Sequence, residues 1–140
     1  FGSRFWHAQA QLWLLIPSYA SARYILLLAM SVQASHLLIK NENSRNPVSR
    51  RTNASTKGVS EADAQKELEE ILKEITKDNF AEKALARSDC GSYKAGGDLG
   101  VFKHEDMMKP FSDAAFALEV GGISGIVKTD SGLHIIMRTG

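Results

Sequence analysis

The chain has 140 residues, of which 44% are hydrophobic and 24% are charged. These values fit one globular domain with a packed core and exclude a wholly disordered chain. The net charge of +1 is too balanced to indicate a nucleic-acid-binding protein. Residues 1–56 nevertheless carry six basic side chains and one acidic side chain, so an anionic partner should meet this part. The single cysteine, Cys90, excludes an internal disulfide and suits a reducing compartment.

Residues 1–31 differ in composition from the rest, because no acidic residue precedes Glu42. Their two apolar runs are interrupted by Pro17 and Arg23, whereas a membrane-spanning helix needs about 20 mostly apolar residues. We treat this part as a leader or non-domain segment, for which disorder is one expectation, and assign the domain to residues 32–140. Three interpretations stay open: an upstream stretch or truncated leader with no part in the fold, a targeting segment, or a weak anchor.

Alternating apolar and polar residues predict a strand over residues 32–39. Residues 41–58 lack apolar periodicity and form a long loop, and loops of this length in a compact domain are usually functional or disordered. A helix begins after Ser60, which has capping-box spacing to Asp63. Its apolar face is formed by Ala64, Leu68, Ile71, Leu72 and Ile75.

Further elements follow in the second half of the chain: a short helix at 80–85, a glycine-rich stretch at 88–100, and a helix at 109–118. A short strand is expected at 99–102. The end reads as a hairpin, with strands at 126–128 and 133–138 around a turn in which Gly132 can take a positive φ. This order predicts an α+β fold in which helices pack on a small, mostly antiparallel, four-stranded sheet.

Five motifs occur in order between residues 32 and 140, namely ASHLLIK (34–40), SDCGS (88–92), GDLG (97–100), MMKPF (107–111) and TDSGLHII (129–136). Together they resemble the parvulin-type peptidyl-prolyl isomerases, in particular the eukaryotic branch that acts on phosphoserine- or phosphothreonine-proline bonds. The resemblance implies a parvulin-like, FKBP-like fold. Many members of that branch carry a WW domain, but this sequence has no recognisable WW-domain pattern.

The resemblance implies an apolar site for the substrate proline. Leu99, Met107 and Phe111 match the residues that hold the proline ring in the family, although such residues more often simply fill a core. Met108 stands where many relatives carry glutamine, so a side-chain amide contact is lost while the backbone N–H at that position remains.

Two strand histidines, His36 and His134, can meet across the sheet if the first and last strands are neighbours. The family places such a pair under the active site, with partners that match Thr129 and Ser131. Two interpretations remain open for this pair: it transfers protons, or it orients the site.

Cys90 together with two histidines also suggests thiol hydrolase chemistry. By resemblance, Cys90 lies beside the substrate carbonyl, and we expect it and Asp89 to set the polarity of the site. A zinc site formed by the cysteine and the two histidines lacks the close ligand pair of common zinc motifs. We therefore expect no metal and no cofactor.

The loop after the first strand concentrates positive charge, and arginine binds phosphate bidentately. The family's phosphate site uses one lysine and two adjacent arginines. Lys40 and Arg45 match the lysine and the first arginine, but the second position is Asn46. Arg50 or Arg51 could fold back to compensate.

The predicted function is therefore isomerisation of phosphoserine- or phosphothreonine-proline bonds in phosphorylated proteins or peptides. The alternatives are a phosphopeptide-binding module with little turnover, which the changes at Asn46 and Met108 favour, and a Cys–His hydrolase. We expect a monomer in the cytoplasm, the nucleus or both. No nucleic acid is expected as a partner, and no membrane is expected for the folded domain.

Overall fold

The computed structural model of the protein describes residues 30–140, so the expectations for the leader lie outside the described residues. The elements are β1 (Ser31–Ile39), α1 (Glu61–Glu74), α2 (Phe80–Arg87), β2 (Asp98–Lys103), α3 (Lys109–Ala117), β3 (Val127–Thr129) and β4 (Gly132–Arg138), with short 3₁₀ turns at Gly91–Ala95 and His104–Asp106.

Four antiparallel strands form one sheet in the order β2-β1-β4-β3. The first strand therefore lies at the centre of the sheet, directly beside the last. Leu38 pairs with His134 and His36 pairs with Ile136. With its helices, this sheet confirms the predicted α+β fold.

Strand β1 is buried on both faces. Because its side chains alternate between these faces, the hydrophobic core has two parts. On one face Leu37 and Ile39 pack with residues of β4 against α1 and α2. On the other face Val32 and Ala34 pack with Phe102 and with the α3 side chains Phe111 and Ala115. Helices thus cover both sides of the sheet. Within residues 30–140 we find no helix whose length and apolarity would let it cross a membrane.

The predicted helix start at Ser60 is confirmed, since its side chain accepts a hydrogen bond from the Asp63 backbone N–H at 3.0 Å. This contact satisfies one of the free N–H groups at the helix start. The second helix extends two residues beyond the expected end, to Arg87. The 3₁₀ turn at Gly91–Ala95 was not predicted.

The predicted hairpin is present, with Gly132 at φ +139°. A Cβ atom at this position would lie 2.6 Å from the carbonyl oxygen of Ile39, so a larger residue would push the hairpin away from β1. The turn therefore needs glycine both for its backbone angle and for its close approach to the neighbouring strand.

Candidate active site

The pairing of β1 with β4 brings two histidine rings together. The Nδ1 atoms of His36 and His134 lie 3.0 Å apart, and the rings stack at an angle of 21°. Phe111 presents its ring edge-on to both imidazoles, with centroids 5.5 and 5.2 Å away. The three rings form one buried cluster between the sheet and α3.

Hydrogen bonds continue from both ends of the histidine pair. His134 Nε2 lies 2.7 Å from Thr129 Oγ1, which also accepts the backbone N–H of Ser131 at 3.1 Å. His36 Nε2 lies 3.1 Å from Ser92 Oγ. Because the two Nδ1 atoms face each other, one must donate and the other accept, so the chain from Thr129 to Ser92 couples the two tautomers.

The surroundings shift the ionisation of two site residues. Burial, together with the charge of His36, lowers the pKa of His134 from 6.5 to about 3, so this imidazole is neutral near pH 7. Burial also opposes ionisation of the Cys90 thiol. Its hydrogen bonds to His36 and Ser92 and the His36 charge outweigh burial and lower its pKa to about 6. The site therefore holds a neutral imidazole and an acidic thiol.

An apolar cavity of about 190 Å³ opens above the histidine pair. Four apolar and five polar side chains form its wall: Leu99, Met107, Met108, Phe111, His36, Cys90, Thr129, Ser131 and His134. The proline-pocket residues predicted from the sequence are thus together around one space.

A second cavity, of about 440 Å³, adjoins the first and shares Cys90, Leu99 and Ser131 with it. The predicted cations Lys40, Arg45 and Arg50 line it, and its remaining wall is formed by Leu38, Asn46, Gly91 and Ser92. An anion bound in this cavity would therefore lie beside an apolar group bound in the first cavity.

Lys40 is buried and holds the backbone of the basic loop, residues 40–58, in place. Its ammonium donates hydrogen bonds to the carbonyls of Asn46 at 2.9 Å and Val48 at 2.8 Å. Burial and the nearby Arg50 guanidinium lower the pKa of this lysine. The Arg45 backbone N–H donates to the Asp130 carbonyl at 2.7 Å, which joins the loop to the β3–β4 turn.

Two predicted site residues lie outside both cavities. Arg51 lines neither, and its Nε is a buried atom without a hydrogen-bond partner among the described residues. Asp89 lies behind the cation-lined cavity with 3% of its surface exposed, and it accepts the Lys40 backbone N–H at 3.0 Å. Asp89 therefore contacts the backbone of the basic loop rather than the cavity.

Sequence reasoning missed three residues that support the site. Ser92 contacts His36, and buried Ser88 accepts the backbone N–H of Leu38 at 3.1 Å. Arg87 contacts Asp89 at 3.2 Å. The two serines are the first and last residues of the SDCGS motif, so the motif could have indicated them. Arg87 belongs to no motif. Among the described residues, no group of three or more His, Cys, Asp or Glu side chains is arranged to hold a metal ion.

Comparison with known proteins identifies relatives of this site and fold. A family model of the PPIC-type PPIase (rotamase) domain matches residues 36–140. Peptidyl-prolyl cis-trans isomerase ESS1 of Saccharomyces cerevisiae is 44% identical over 113 residues, which cover 78% of this chain and 65% of the yeast protein. Peptidyl-prolyl cis-trans isomerase Pin1 of Digitalis lanata is 45% identical over 113 residues, covering 78% of this chain and 96% of the plant protein.

The fold agrees with a solved structure as well. The solution structure of TbPIN1 is 53% identical in sequence, superposes with a TM-score of 0.70, and covers 79% of this chain and 98% of its own. These matches confirm the family resemblance that the five motifs indicated. The match to the family model begins at His36 and includes every residue of both cavities.

Proposed function

The chain belongs to the PPIC-type peptidyl-prolyl isomerase family, and we propose that it accelerates rotation about phosphoserine- and phosphothreonine-proline bonds. The isomerase class follows from the family and from the names of close relatives. The preference for a phosphorylated residue is our proposal. One observation carries it: a cation-lined cavity and an apolar cavity share the wall formed by Cys90, Leu99 and Ser131.

This juxtaposition matches the chemistry of the proposed substrate. A phosphorylated side chain immediately precedes the proline, and its phosphate carries about −1.5 to −2 charges at pH 7. Lys40, Arg45 and Arg50 would attract the phosphate, while the adjacent apolar cavity would take the proline ring. The bond that rotates would then cross the shared wall beside Cys90.

The apolar cavity can lower the barrier to rotation without forming a covalent bond. Resonance gives the peptide bond a rotational barrier of about 18–20 kcal/mol. The twisted amide has lost its charge separation, so a site that excludes water disfavours it less than bulk water does. Holding the proline ring between Leu99, Met107 and Phe111 leaves the preceding carbonyl free to turn. The neutral His134 and its hydrogen-bond chain keep the floor of this site ordered.

Asn46 is the observation that favours a second candidate, a phosphopeptide-binding module with little turnover. It lines the cation-lined cavity where the family pattern has a second arginine. The cavity has three cations, so binding of a phosphate remains supported. Turnover is the property that separates this candidate from the isomerase.

The proposal is tested with two Ser-Pro peptides that differ only in the phosphate. Exchange NMR on the full chain should show faster cis/trans exchange for both peptides and a higher kcat/KM for the phosphorylated one. Arg45→Ala should lower the kcat/KM of the phosphorylated peptide alone. Lys57→Ala is the matched control, because Lys57 is an exposed cation of the same loop that lines neither cavity.

Each alternative result has a defined meaning. Absence of acceleration on either peptide, with measurable binding of the phosphopeptide, would favour the binding module. Equal acceleration of both peptides would reject the phosphate preference alone. Absence of both acceleration and binding would reject the proposal entirely.

A thiol hydrolase is the third candidate, since Cys90 has a pKa of about 6 and hydrogen-bonds His36. Loss of a catalytic nucleophile costs roughly 10⁶-fold in rate. If Cys90→Ser keeps prolyl-isomerase activity and no acyl adduct forms on Cys90 in the native protein, the hydrolase mechanism is excluded. A trapped adduct would support it.

A further inference from the structure

Arg87, the last residue of α2, links two acidic side chains from different parts of the fold. Its Nε and Nη2 donate to the two carboxylate oxygens of Glu67 on α1, the latter bond measuring 2.9 Å. Its Nη1 donates to Asp89 Oδ1 at 3.2 Å. The guanidinium therefore holds both carboxylates at once and binds Glu67 through two parallel hydrogen bonds, a geometry that its planar fork of donors provides and a lysine ammonium does not.

Asp89, in turn, holds the basic loop, residues 40–58, at two points. Its second oxygen, Oδ2, accepts the backbone N–H of Lys40 at 3.0 Å, where the loop begins. Its carbonyl accepts the backbone N–H of Arg50 at 2.9 Å, and its own N–H donates to Leu38 at 2.8 Å. The backbones of two cations that line the larger cavity are thus fixed to one acidic residue.

The charge of Asp89 needs compensation at this position. The residue is 3% exposed and lies next to a cavity suited to an anion. A buried carboxylate left without a cationic partner is strongly unfavourable, and its field would also repel a bound phosphate. Arg87 lines neither cavity, so it offsets the charge of Asp89 from outside the site.

We propose that Arg87 is a positioning residue for the phosphate site, acting through Asp89 on the backbones of Lys40 and Arg50. Glu67 on α1 orients the guanidinium. The contacts from Glu67 through Arg87 and Asp89 to the Lys40 backbone are called the relay below. This inference rests on the proposed preference for phosphorylated substrates. It assigns a role in specificity to a residue that touches neither the substrate nor the cavities.

The decisive variant is Arg87→Met, which removes the guanidinium and keeps the length of the side chain. We expect the kcat/KM for the phosphorylated Ser-Pro peptide to fall roughly tenfold, mainly through KM. The value for the unphosphorylated peptide should change much less. Arg87→Lys should restore part of the loss, because an ammonium can pair with Asp89 without spanning both carboxylates.

Lys83→Met is the matched control on the same helix. Lys83 pairs with Glu74 at 2.9 Å, so it also joins α2 to the end of α1, but it makes no contact with Asp89. This variant should leave the kinetics of both peptides unchanged. If Arg87→Met does not fold, Glu67→Gln tests the relay by a milder change and should give a smaller loss in the same direction.

A second readout separates positioning from general stability. The amide proton of Lys40, observed by NMR in the full-length protein, should move upfield in Arg87→Met while resonances of the opposite sheet face stay native. Equal losses on both peptides, no loss on either, or an unmoved Lys40 amide would each overturn the proposal.

Failure of the proposed function gives a different pattern. If the native protein does not distinguish the two peptides, the phosphate preference fails. The relay is then judged by the Lys40 amide and by titration with inorganic phosphate. A shifted amide with weaker phosphate binding in Arg87→Met would support the relay, and an unchanged amide would reject it.

Discussion

His36 and His134 lie 98 residues apart in the chain, yet their Nδ1 atoms are 3.0 Å apart in the fold. Two nitrogens at this distance can share one proton but cannot both carry one, since two N–H groups would then face each other. The pair is therefore most stable with at least one ring neutral. Its behaviour with pH follows directly from this geometry.

The pair should make the protein sensitive to mild acid. The pKa of His134 is about 3 in the fold against 6.5 ordinarily, so the unfolded chain binds more protons between these values. The free energy of unfolding should therefore fall as pH decreases below about 6.5, by up to about 1.4 kcal/mol per pH unit. Urea unfolding at pH 7.5, 6.5 and 5.5 measures this slope.

His134→Gln should flatten that slope even if the variant is less stable at every pH. His104→Gln is the control, because His104 is an exposed residue paired with Asp113 at 2.7 Å. Parallel pH profiles for the native protein and His134→Gln would contradict the assignment.

Cys90 should react as an acidic thiol. Burial raises its pKa, but the hydrogen bond and charge of His36 outweigh burial and bring the pKa to about 6. The rate of alkylation by iodoacetamide should therefore rise with pH around an inflection near 6. His36→Gln should move the inflection upward, and His104→Gln should not. An inflection that stays near 6 without His36 would refute this cause.

Gly97 should be intolerant of any side chain. Gly97 has φ +86°, and a Cβ atom there would lie 2.2 Å from the carbonyl oxygen of His36. The carbonyl of Gly97 also accepts a hydrogen bond from the backbone N–H of His36. Gly97→Ala should destabilise the fold by about 1–3 kcal/mol and displace the histidine pair. Thermal unfolding and the imidazole NMR signals measure both effects. Gly125→Ala, with open space around its Cβ position, should be nearly neutral.

Asn46→Arg should strengthen the proposed preference for phosphate. The side chain of Asn46 is exposed at the cation-lined cavity, while its backbone carbonyl holds Lys40. A partly solvated ion pair contributes about 0.2–1 kcal/mol, so the ratio of kcat/KM values should rise by up to about fivefold. Asn43→Arg adds the same charge to the same loop outside this cavity and should have little effect. An unchanged ratio in Asn46→Arg would place the phosphate elsewhere.

Local structural features could be predicted from the sequence because each depends on residues that are close together in the chain. The alternation of β1, the cap at Ser60 and the turn at Gly132 each depend on neighbouring positions, and all three are present. The family motifs also pointed to the residues around both cavities. Arg51 was not predictable in this way: its charge and its place in the loop suggested a phosphate contact, but Arg51 does not line the cation-lined cavity.

The sequence by itself therefore determined the helices and strands, the fold class and most of the residues that line the two cavities. The tertiary structure decided which of them meet. Periodicity does not encode strand order, and only the placement of β4 beside β1 brings His36 to His134. The link from Arg87 to Glu67 likewise depends on how α2 ends against α1, because these side chains are 20 residues apart in the chain and are joined by packing rather than by spacing.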